Sequence, residues 1–394
     1  MSRRPTWRLL FASFTSSIAS NGIMNMNVVS INQPHAIVEQ YVNASFGEHY
    51  GRYLTADDLK SVWGFINSVP MLIAIFSSQL VNPLSEKLGR KWTNYGVVGF
   101  TNLLSALLCF IARFANSWEL FLVGRVFNGV SLGIGTGVLT LYLTECSPPS
   151  QRAVTGTFIA FSGFSCLWLS YVLTLPECFG REDIWHYFYL FQVLLSLVLF
   201  IPAFFVPETP KYLYLKKRNE TEARKAIEWL YGKGWNVDEV LKSFAQEGRQ
   251  ARSKAAVPFS SFITQPHLRK GLLVGTAALL SRVTCGISLL NQYSATMITD
   301  VLGDSENSRR LAQYITVAQF TPQMFETVLT AHLLEKLGRR TVLLGALTAM
   351  NICMGIFVIF SELNNYLHDT WMADVGIAFE IVGSLIFTLG KCHI

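Results

Sequence analysis

The sequence predicts an all-α membrane protein made of two related helical bundles, and three observations support this prediction. Of the 394 residues, 51% are hydrophobic and only 15% are charged, whereas soluble chains carry about 25% charged residues. The mean hydropathy of the chain is +0.34. The apolar residues lie in long blocks, and one short motif occurs twice at equivalent places among these blocks. This pattern excludes disordered, collagen-like and nucleic-acid-binding proteins.

Ten apolar blocks are long enough to cross a bilayer, for which a helix needs about 20 mostly apolar residues. They comprise residues 9–31, 61–82, 94–114, 119–142, 153–175, 185–207, 270–300, 312–334, 341–361 and 372–391. The seventh block is too long for one straight crossing, so we expect it to overrun the bilayer or to break. Met1–Leu10 shows no signal-peptide cleavage site, so the first block is expected to act as its own insertion signal.

The basic residues between the blocks predict the orientation of the chain. With the N-terminus in the cytosol, the cytosolic segments carry 23 Lys and Arg residues and the external segments carry 5. Lys and Arg are retained on the cytosolic side during insertion, so this asymmetry predicts a cytosolic N-terminus. Asn43-Ala-Ser45 then lies outside and is a predicted glycan acceptor, whereas Asn219-Glu-Thr221 lies inside and is a chance match.

A repeated motif divides the chain into two halves. Glu86-Lys-Leu-Gly-Arg-Lys91 follows the second block, and Glu335-Lys-Leu-Gly-Arg-Arg340 follows the eighth block, 249 residues later. Five of the six positions are identical, which indicates an internal repeat. We therefore expect an N-terminal six-helix bundle over residues 1–207, a cytosolic linker over 208–269 and a C-terminal bundle with four spans over 270–394.

The linker sequence predicts short helices. Apolar residues recur at helical spacing over residues 223–230 and again over 237–244. Asn219 or Thr221 can cap the first of these helices and Gly232 can end it. We expect two or three amphipathic helices on the cytosolic face. Residues 208–270 hold 13 Lys and Arg against 7 Asp and Glu, so this one segment accounts for the net charge of +6.

Five short motifs occur in order along the chain. They are Asn27 to Pro34, Leu88-Gly-Arg-Lys91, Gly124-Arg125 followed by Tyr142 to Arg152, Pro207-Glu-Thr-Pro-Lys211, and Leu337-Gly-Arg-Arg340. In this order they resemble the motifs of the sugar porter branch of the major facilitator superfamily, and within it the facilitative glucose transporters of animals. The resemblance extends from residue 1 to about residue 381 and implies the major facilitator fold.

The resemblance implies a cytosolic gate made of ion pairs between the two halves. Its residues are expected at cytosolic helix ends, where they would hold the inner side closed while the solute site faces outward. Exposed pairs contribute roughly 0–1 kcal/mol each, so such a network must act collectively. The expected gate residues are Arg90, Lys91, Glu145, Arg152, Glu208, Glu335, Arg339 and Arg340. The alternative is that these charges only anchor the spans.

Arg125 is a charged residue inside the fourth block, and such residues are costly in a membrane. In proton-coupled relatives the first span places an Asp near this Arg, whereas the matching position here is Asn27, which cannot titrate. The resemblance therefore favours uniport over proton symport. Gly133, Gly135 and Gly137 follow no predicted strand, so they indicate close helix packing and not a phosphate-binding loop.

The positions that bind hexose in the family are poorly kept here. The matching positions are Asn27, Arg282, Ser288, Gln323 and Glu380, and the fifth-span Gln position is occupied by Ala160. A buried Arg282 without a partner would be costly, so we expect it to approach Glu326 or Glu380. These replacements are expected either in a transporter whose solute is anionic or zwitterionic, or in a chain that no longer carries sugar.

The sequence after Ile381 also departs from the family pattern. A Gly-Pro-rich hinge would follow there, but Val382 to Ile394 does not contain it. We interpret the tail as a splice variant or a truncated gene product, with a ten-span protein as the alternative. The C-terminal bundle is therefore expected to be incomplete.

The function expected from the sequence is uniport of a hexose or related small polar solute across the plasma membrane by alternating access. The alternatives are proton-coupled symport of another solute and a non-transporting membrane interaction protein. The chain shows no nucleophile–base pair, no nucleotide-binding loop, and no disulfide or metal spacing among its seven cysteines. We therefore expect no enzymatic activity, no cofactor, no metal and no nucleic-acid partner. Membrane lipid is the other expected partner, and the oligomeric state is left open.

Overall fold

The computed structural model describes residues 4–232, 234–253, 265–284, 286–303, 305–337, 339–367 and 370–391, and their regular secondary structure is helical. The N-terminal part contains α1 (Trp7–Ser17), a π-helical turn (Ile18–Gly22), α2 (Ile23–Val29), α3 (His35–Tyr50), α4 (Ala56–Ser77), α5 (Val81–Leu88), α6 (Gly99–Phe114), α7 (Trp118–Cys146), α8 (Arg152–Leu173), α9 (Tyr187–Phe200) and α10 (Pro202–Phe205). The rest contains α11 (Pro210–Leu215), α12 (Glu220–Tyr231), α13 (Val237–Ser253), α14 (Pro266–Thr284), α15 (Ile287–Leu302), α16 (Glu306–Leu337), α17 (Arg339–Leu367) and α18 (Thr370–Lys391).

Six helical stretches among the described residues are long and apolar enough to cross a membrane. They are Ala56–Leu88, Trp92–Phe114, Trp118–Cys146, Pro149–Leu173, Tyr187–Phe205 and Arg340–Asn364. Each overlaps one of the ten predicted blocks. The other four predicted blocks also fall on helices, at 7–29, at 266–284 with 287–302, at 306–337 and at 370–391, but the described parts of these helices do not reach the same length and apolarity.

The first predicted span contains several polar side chains, which lower its mean hydropathy. These side chains lie on a buried face. Ser13, Ser16, Ser20 and Asn27 are each at most 1% exposed. The Ser16 hydroxyl donates to the carbonyl of Ser13 at 3.1 Å, and the Ser20 hydroxyl donates to that of Ser16 at 3.2 Å. Such bonds satisfy a hydroxyl within its own helix. The span can therefore lie inside a bundle, where its neighbours and not lipid cover the polar face.

The seventh predicted span is broken, which is one of the two outcomes that its length predicts. Helix α14 ends at Thr284 and α15 begins at Ile287, with Gly286 at φ +84° between them. This left-handed conformation costs a glycine little, whereas other residues adopt it only with strain. The break therefore falls at a glycine.

In the part of the predicted linker that the structure describes, α11, α12 and α13 are helical. The Asn219 side chain accepts a hydrogen bond from the Glu222 N–H at 3.1 Å and caps α12, and Gly232 follows its last residue with φ +85°. Both residues act as the sequence predicts. The apolar face of α12 is buried through Ala223, Ile227 and Leu230.

The chain divides into two compact units. The first comprises Met1–Val237 together with Gln313–Phe320, and the second comprises Asp238–Ala312 with Thr321–Ile394. In the first unit, α7 packs against α4 and α6, and α6 packs against α9. In the second unit, α18 packs against α17 and α15. The first unit thus includes α11 and α12 of the predicted linker and one segment of α16.

The glycines of α7 allow close helix packing, as the sequence predicts. A Cβ atom at Gly133 would lie 2.5 Å from the carbonyl oxygen of Ala74 and 2.8 Å from the N atom of Ser78. A Cβ atom at Gly137 would lie 2.9 Å from Val81. Because main-chain atoms of α4 and of the turn after it occupy the space at Gly133, even a methyl group requires the helices to move apart.

We predict that Gly133→Ala destabilises the protein by about 1–3 kcal/mol, the usual cost of overpacking a filled interior. Chemical unfolding of the purified protein in mixed micelles measures the change. Gly156→Ala is the matched control, because no atom beyond the local backbone of α8 lies within 4 Å of a Cβ placed at Gly156. Equal destabilisation by the two variants would contradict the close approach of α7 and α4.

Candidate functional site

Arg125 lies fully buried in α7 and contacts the end of the first span. Its Nη1 donates to the carbonyl oxygen of Asn27 at 2.6 Å and to the Asn27 side-chain oxygen at 3.3 Å. Its Nη2 donates to the carbonyl oxygen of Val28 at 3.4 Å. The side chain is 0% exposed, so these oxygens replace water around the guanidinium.

These carbonyl oxygens are available because the helix ends there. Helix α2 ends at Val29, so its last carbonyl groups lack the usual N–H partner four residues on. The carbonyl of Asn27 also accepts from the Ser30 N–H at 3.4 Å and from the Ser30 hydroxyl at 2.7 Å, and Arg125 shares it with them. The partial negative charge at this helix end also favours a cation. Arg125 therefore caps the first span, and the Ser170 hydroxyl adds a bond to the carbonyl of Met26 at 3.1 Å.

The Asn27 side chain forms hydrogen bonds inside the bundle. Its Nδ2 donates to the Ser105 hydroxyl at 3.0 Å, and that hydroxyl donates to the carbonyl of Gly124 at 2.8 Å. Its side-chain oxygen accepts a hydrogen bond from Arg125. Asn27 therefore links α2, α6 and α7. Both the nitrogen and the oxygen of its amide thus have partners in the protein. The expected contact of Asn27 with solute stays a prediction.

Beyond the cap, the chain meets residues 313–320 of α16. The Gln33 Nε2 donates to the carbonyl of Gln313 at 3.3 Å, and the Gln313 Nε2 donates to the carbonyl of Gln33 at 3.1 Å. The rings of Tyr171 and Phe320 stack with centroids 4.6 Å apart. The Tyr314 hydroxyl donates to Glu177 at 2.6 Å. This contact, which we call the glutamine contact, was not predicted from the sequence.

A cluster of charges joins the helix ends after α5, α7 and α10. The Arg90 Nε lies 2.9 Å from Oε2 of Glu145, and its Nη2 donates to Oε1 at 3.2 Å. The two side chains are only 13% and 11% exposed. The Arg90 guanidinium also lies 4.9 Å from the ring centroid of Tyr212. The pair is therefore better shielded from water than an ordinary surface ion pair.

Glu208 binds main-chain groups in the same cluster. It accepts hydrogen bonds from the Lys91 N–H at 2.9 and 3.1 Å and from the Thr209 N–H at 2.9 Å. The Thr209 hydroxyl donates to Glu145 at 2.8 Å, which connects the two carboxylates. Gly89 has φ +94°, and a Cβ there would collide with the Glu208 carboxylate. The glycine of the repeated motif is thus required both by its conformation and by this close approach.

Burial disfavours the charged forms of Glu208 and Lys91 in this cluster. It raises the pKa of the Glu208 carboxyl, and the hydrogen bonds from Lys91 and Thr209 and the positive charges of Lys91 and Arg90 counteract it only partly. Burial also lowers the pKa of the Lys91 amine, against the attraction of Glu208. The hydrogen bonds of the cluster therefore hold it together, and the attraction between its charges does not by itself offset the cost of burial.

The described structure places the gate residues as follows. The partners given above for Arg90, Glu145 and Glu208 all lie in the N-terminal unit. Arg152 and Arg340 are exposed at the first turns of α8 and α17. The side chains of Glu335 and Arg339 lie outside the described residues, so the gate between the halves stays a prediction.

The predicted solute-binding residues of the second unit are only partly described. Gln323 in α16 is 1% exposed, and neither its oxygen nor its nitrogen has a hydrogen-bond partner within the described part of the chain. Glu380 in α18 is fully buried. The side chains of Arg282, Ser288 and Glu326 lie outside the described residues, so the expected approach of Arg282 to Glu326 or Glu380 stays a prediction.

Two further amides lie on the first span and were not singled out from the sequence. Asn21, in the π-helical turn, donates to the carbonyl of Ile159 at 2.7 Å, and Asn25 donates to the Asn21 side-chain oxygen at 3.0 Å. Both are half-buried. A pair of amides four residues apart in an otherwise apolar block was the signal that could have identified them.

Comparison with known proteins decides the family. The family model described as "Sugar (and other) transporter" matches residues 13–393. The chain belongs to this family. It is 27% identical over 396 residues to human "Solute carrier family 2, facilitated glucose transporter member 9", which covers 99% of this chain and 70% of the relative. The mouse protein named member 7 of the same group is 24% identical and covers 96% of this chain and 73% of that relative.

Solved structures show the same fold. The xylose transporter XylE from E. coli, in a partially occluded inward-open conformation, matches with a TM-score of 0.73 at 16% identity, covering 97% of this chain and 85% of that one. XylE bound to 6-bromo-6-deoxy-D-glucose also matches with a TM-score of 0.73, at 15% identity, covering 98% and 81%. The chain thus has the fold of major facilitator sugar transporters, which are not enzymes.

We predict that Glu145→Gln destabilises the purified transporter by about 1–3 kcal/mol, because Arg90 then loses a charged partner in a shielded site. Unfolding by denaturant in mixed micelles measures the difference. Glu86→Gln is the matched control: its pair with Lys216 spans 3.2 Å, but the side chains are 59% and 50% exposed, so the change should be within about 1 kcal/mol. Equal losses in the two variants would contradict a special role for the Arg90–Glu145 pair.

Proposed function

We propose that this membrane transporter carries a hexose or a related small polar solute by uniport through alternating access. The observation that carries the proposal is that Arg125 donates hydrogen bonds to neutral oxygens at the end of the first span. Its three hydrogen bonds to the first span end on the carbonyl oxygens of Asn27 and Val28 and on the Asn27 amide oxygen. These oxygens are neutral groups that do not titrate at physiological pH.

The neutral cap favours uniport over proton symport. Coupling to protons requires a group whose protonation changes during the transport cycle, and an aspartate facing Arg125 would be such a group. Here Asn27 stands at that position and already bonds to Arg125 and Ser105. The first span therefore provides a fixed cap for Arg125 and not a proton-binding site.

The proposed solute class follows from the relatives and from the amides of the first span. The curated relatives are named as facilitated glucose transporters, and the solved structures are of a xylose transporter, one bound to a bromodeoxyglucose. Asn21 and Asn25 are half-buried and lie beside the segment that contains Ala160. The Asn21 amide bonds to Ile159, Ser162 and Asn25, so the group that this pair offers first to a sugar hydroxyl is the side-chain oxygen of Asn25. We propose that these two residues compensate for the glutamine that Ala160 replaces.

We further propose that the chain lies in the plasma membrane with its N-terminus in the cytosol and Asn43 outside. Asn43 is half-buried in α3, and its side-chain oxygen accepts a hydrogen bond from the Leu54 N–H at 2.8 Å. The Ser45 hydroxyl of the same sequon donates to the carbonyl of Asn116 and accepts from the Trp118 N–H. Glycan attachment is therefore best tested with Asn43→Gln, which leaves the bonds of Ser45 in place.

Uptake by proteoliposomes tests the function. The purified protein should equilibrate radiolabelled D-glucose or D-xylose across the bilayer, discriminate against L-glucose, and keep its rate when a protonophore is added. Protein-free liposomes are the control. Absence of uptake for every small polar solute would support the non-transporting alternative, and a collapse of uptake with the protonophore would support proton symport.

The substitution Asn27→Asp tests the role of the neutral cap. We predict that it gives the transporter a pH-dependent rate that the wild-type protein lacks, because a carboxylate would then face Arg125 within hydrogen-bond distance. The measurement is the initial rate of uptake at pH 5.5 and 7.5. A wild-type rate that already changes with pH as strongly as that of the variant would contradict the proposal.

A further inference from the structure

A cavity of about 460 Å³ lies where the start of the first span meets the linker helix α12. It is separate from Arg125 and from the Arg90–Glu145 cluster, and the proposed transport mechanism does not use it. Its walls include Trp7, Arg8, Lys225, Glu228 and Trp229. Two cations, one carboxylate and two indole rings thus surround one space.

The walls of the cavity are held by specific bonds. The Thr6 hydroxyl donates to the carbonyl of Leu230 in the last turn of α12, and it accepts from the Leu9 N–H at 3.2 Å as the cap of α1. Gly232, with φ +85°, lies so close to Thr6 that a Cβ would be 3.2 Å from the Thr6 methyl group. The fold therefore fixes the relative position of the two helices that form the cavity.

The charges in the cavity are available to a ligand. The Arg8 guanidinium lies 5.9 Å from the ring centroid of Trp7 and 5.8 Å from that of Trp229. Neither Arg8 nor Lys225 forms an ion pair in the part of the chain that the structure describes. A guanidinium held against aromatic rings keeps its N–H donors for an anion. Arg8 and Lys225 can thus bind two acidic groups, and Glu228 can bind an amine.

Exposed apolar side chains extend from the cavity along the first span. Trp7 is 69% exposed, and Phe11 and Phe14 on the following turns are 39% and 40% exposed. In a membrane protein these rings face lipid, and tryptophan prefers the level of the headgroups. The cavity therefore lies at the height of phospholipid headgroups, with an apolar path for acyl chains beside it.

We infer that this cavity binds the headgroup of an acidic aminophospholipid of the phosphatidylserine type. Its phosphate and carboxylate match the two cations Arg8 and Lys225, and its ammonium group matches Glu228. Basic pockets at the cytosolic membrane surface are typical sites for anionic headgroups, and the predicted orientation places this cavity on that side. Phosphatidylglycerol lacks both the carboxylate and the amine, and phosphatidylcholine lacks the carboxylate, so both should bind more weakly.

Native mass spectrometry of the purified full chain tests the inference. The protein is mixed with equal amounts of phosphatidylserine, phosphatidylglycerol and phosphatidylcholine of the same acyl chains. We expect phosphatidylserine to be retained preferentially. The double variant Arg8→Gln with Lys225→Gln should lose at least tenfold in phosphatidylserine affinity. Glu228→Gln should reduce the preference for phosphatidylserine over phosphatidylglycerol and should not weaken phosphatidylglycerol binding, since it removes a negative charge from the cavity.

Arg224→Gln is the matched control, because Arg224 lies next to Lys225 but pairs with Glu220 at 2.7 Å. It should change affinity less than twofold. An equal loss in this variant, or equal retention of phosphatidylcholine by the wild-type protein, would overturn the inference. Soluble glycerophosphoserine should compete only weakly, since it lacks acyl chains; full competition would assign the cavity to a free phosphate ligand and contradict the lipid assignment. Size-exclusion profiles of the variants confirm that each one is folded.

Discussion

The structure of the N-terminal unit depends on how one buried positive charge is satisfied. Arg125 is 0% exposed, and removing a guanidinium from water is costly unless it is paired or hydrogen-bonded. The first span supplies the compensation by ending at Val29, where the carbonyl oxygens of Asn27 and Val28 lack the N–H partner four residues on that a continuing helix would give them. Arg125 thus donates hydrogen bonds to carbonyl oxygens at the helix end, and these oxygens in turn stabilise the buried guanidinium.

This cap allows the chain after α2 to leave the helix and make other contacts. Ser30 bonds to the Tyr189 hydroxyl at 2.9 Å, and Gln33 takes part in the glutamine contact. The other end of the unit is fastened by the Arg90–Glu145 pair and by Glu208, which binds the main chain after Gly89. The N-terminal bundle is therefore held at both ends, as an element that moves as one body in the proposed alternating access would need.

Much of the helical framework could be predicted, because long apolar blocks and a repeated loop motif are direct physical signals. Arg125 and Asn27 were also singled out, but their geometry was not, since the sequence does not show which carbonyls a helix end leaves free. The glutamine contact joins residues 280 positions apart and leaves no local pattern. Asn21 and Asn25 were missed although two amides four residues apart in an otherwise apolar block were an available signal.

The most direct test of this account is hydrogen–deuterium exchange of the amides from Val29 to Gln33 in Arg125→Gln. Arg152→Gln, the same substitution at an exposed arginine, is the control. If Arg125 caps the first span, these amides should exchange at least tenfold faster in Arg125→Gln than in the wild-type or control protein. Unchanged exchange in this segment of a folded variant would contradict the account.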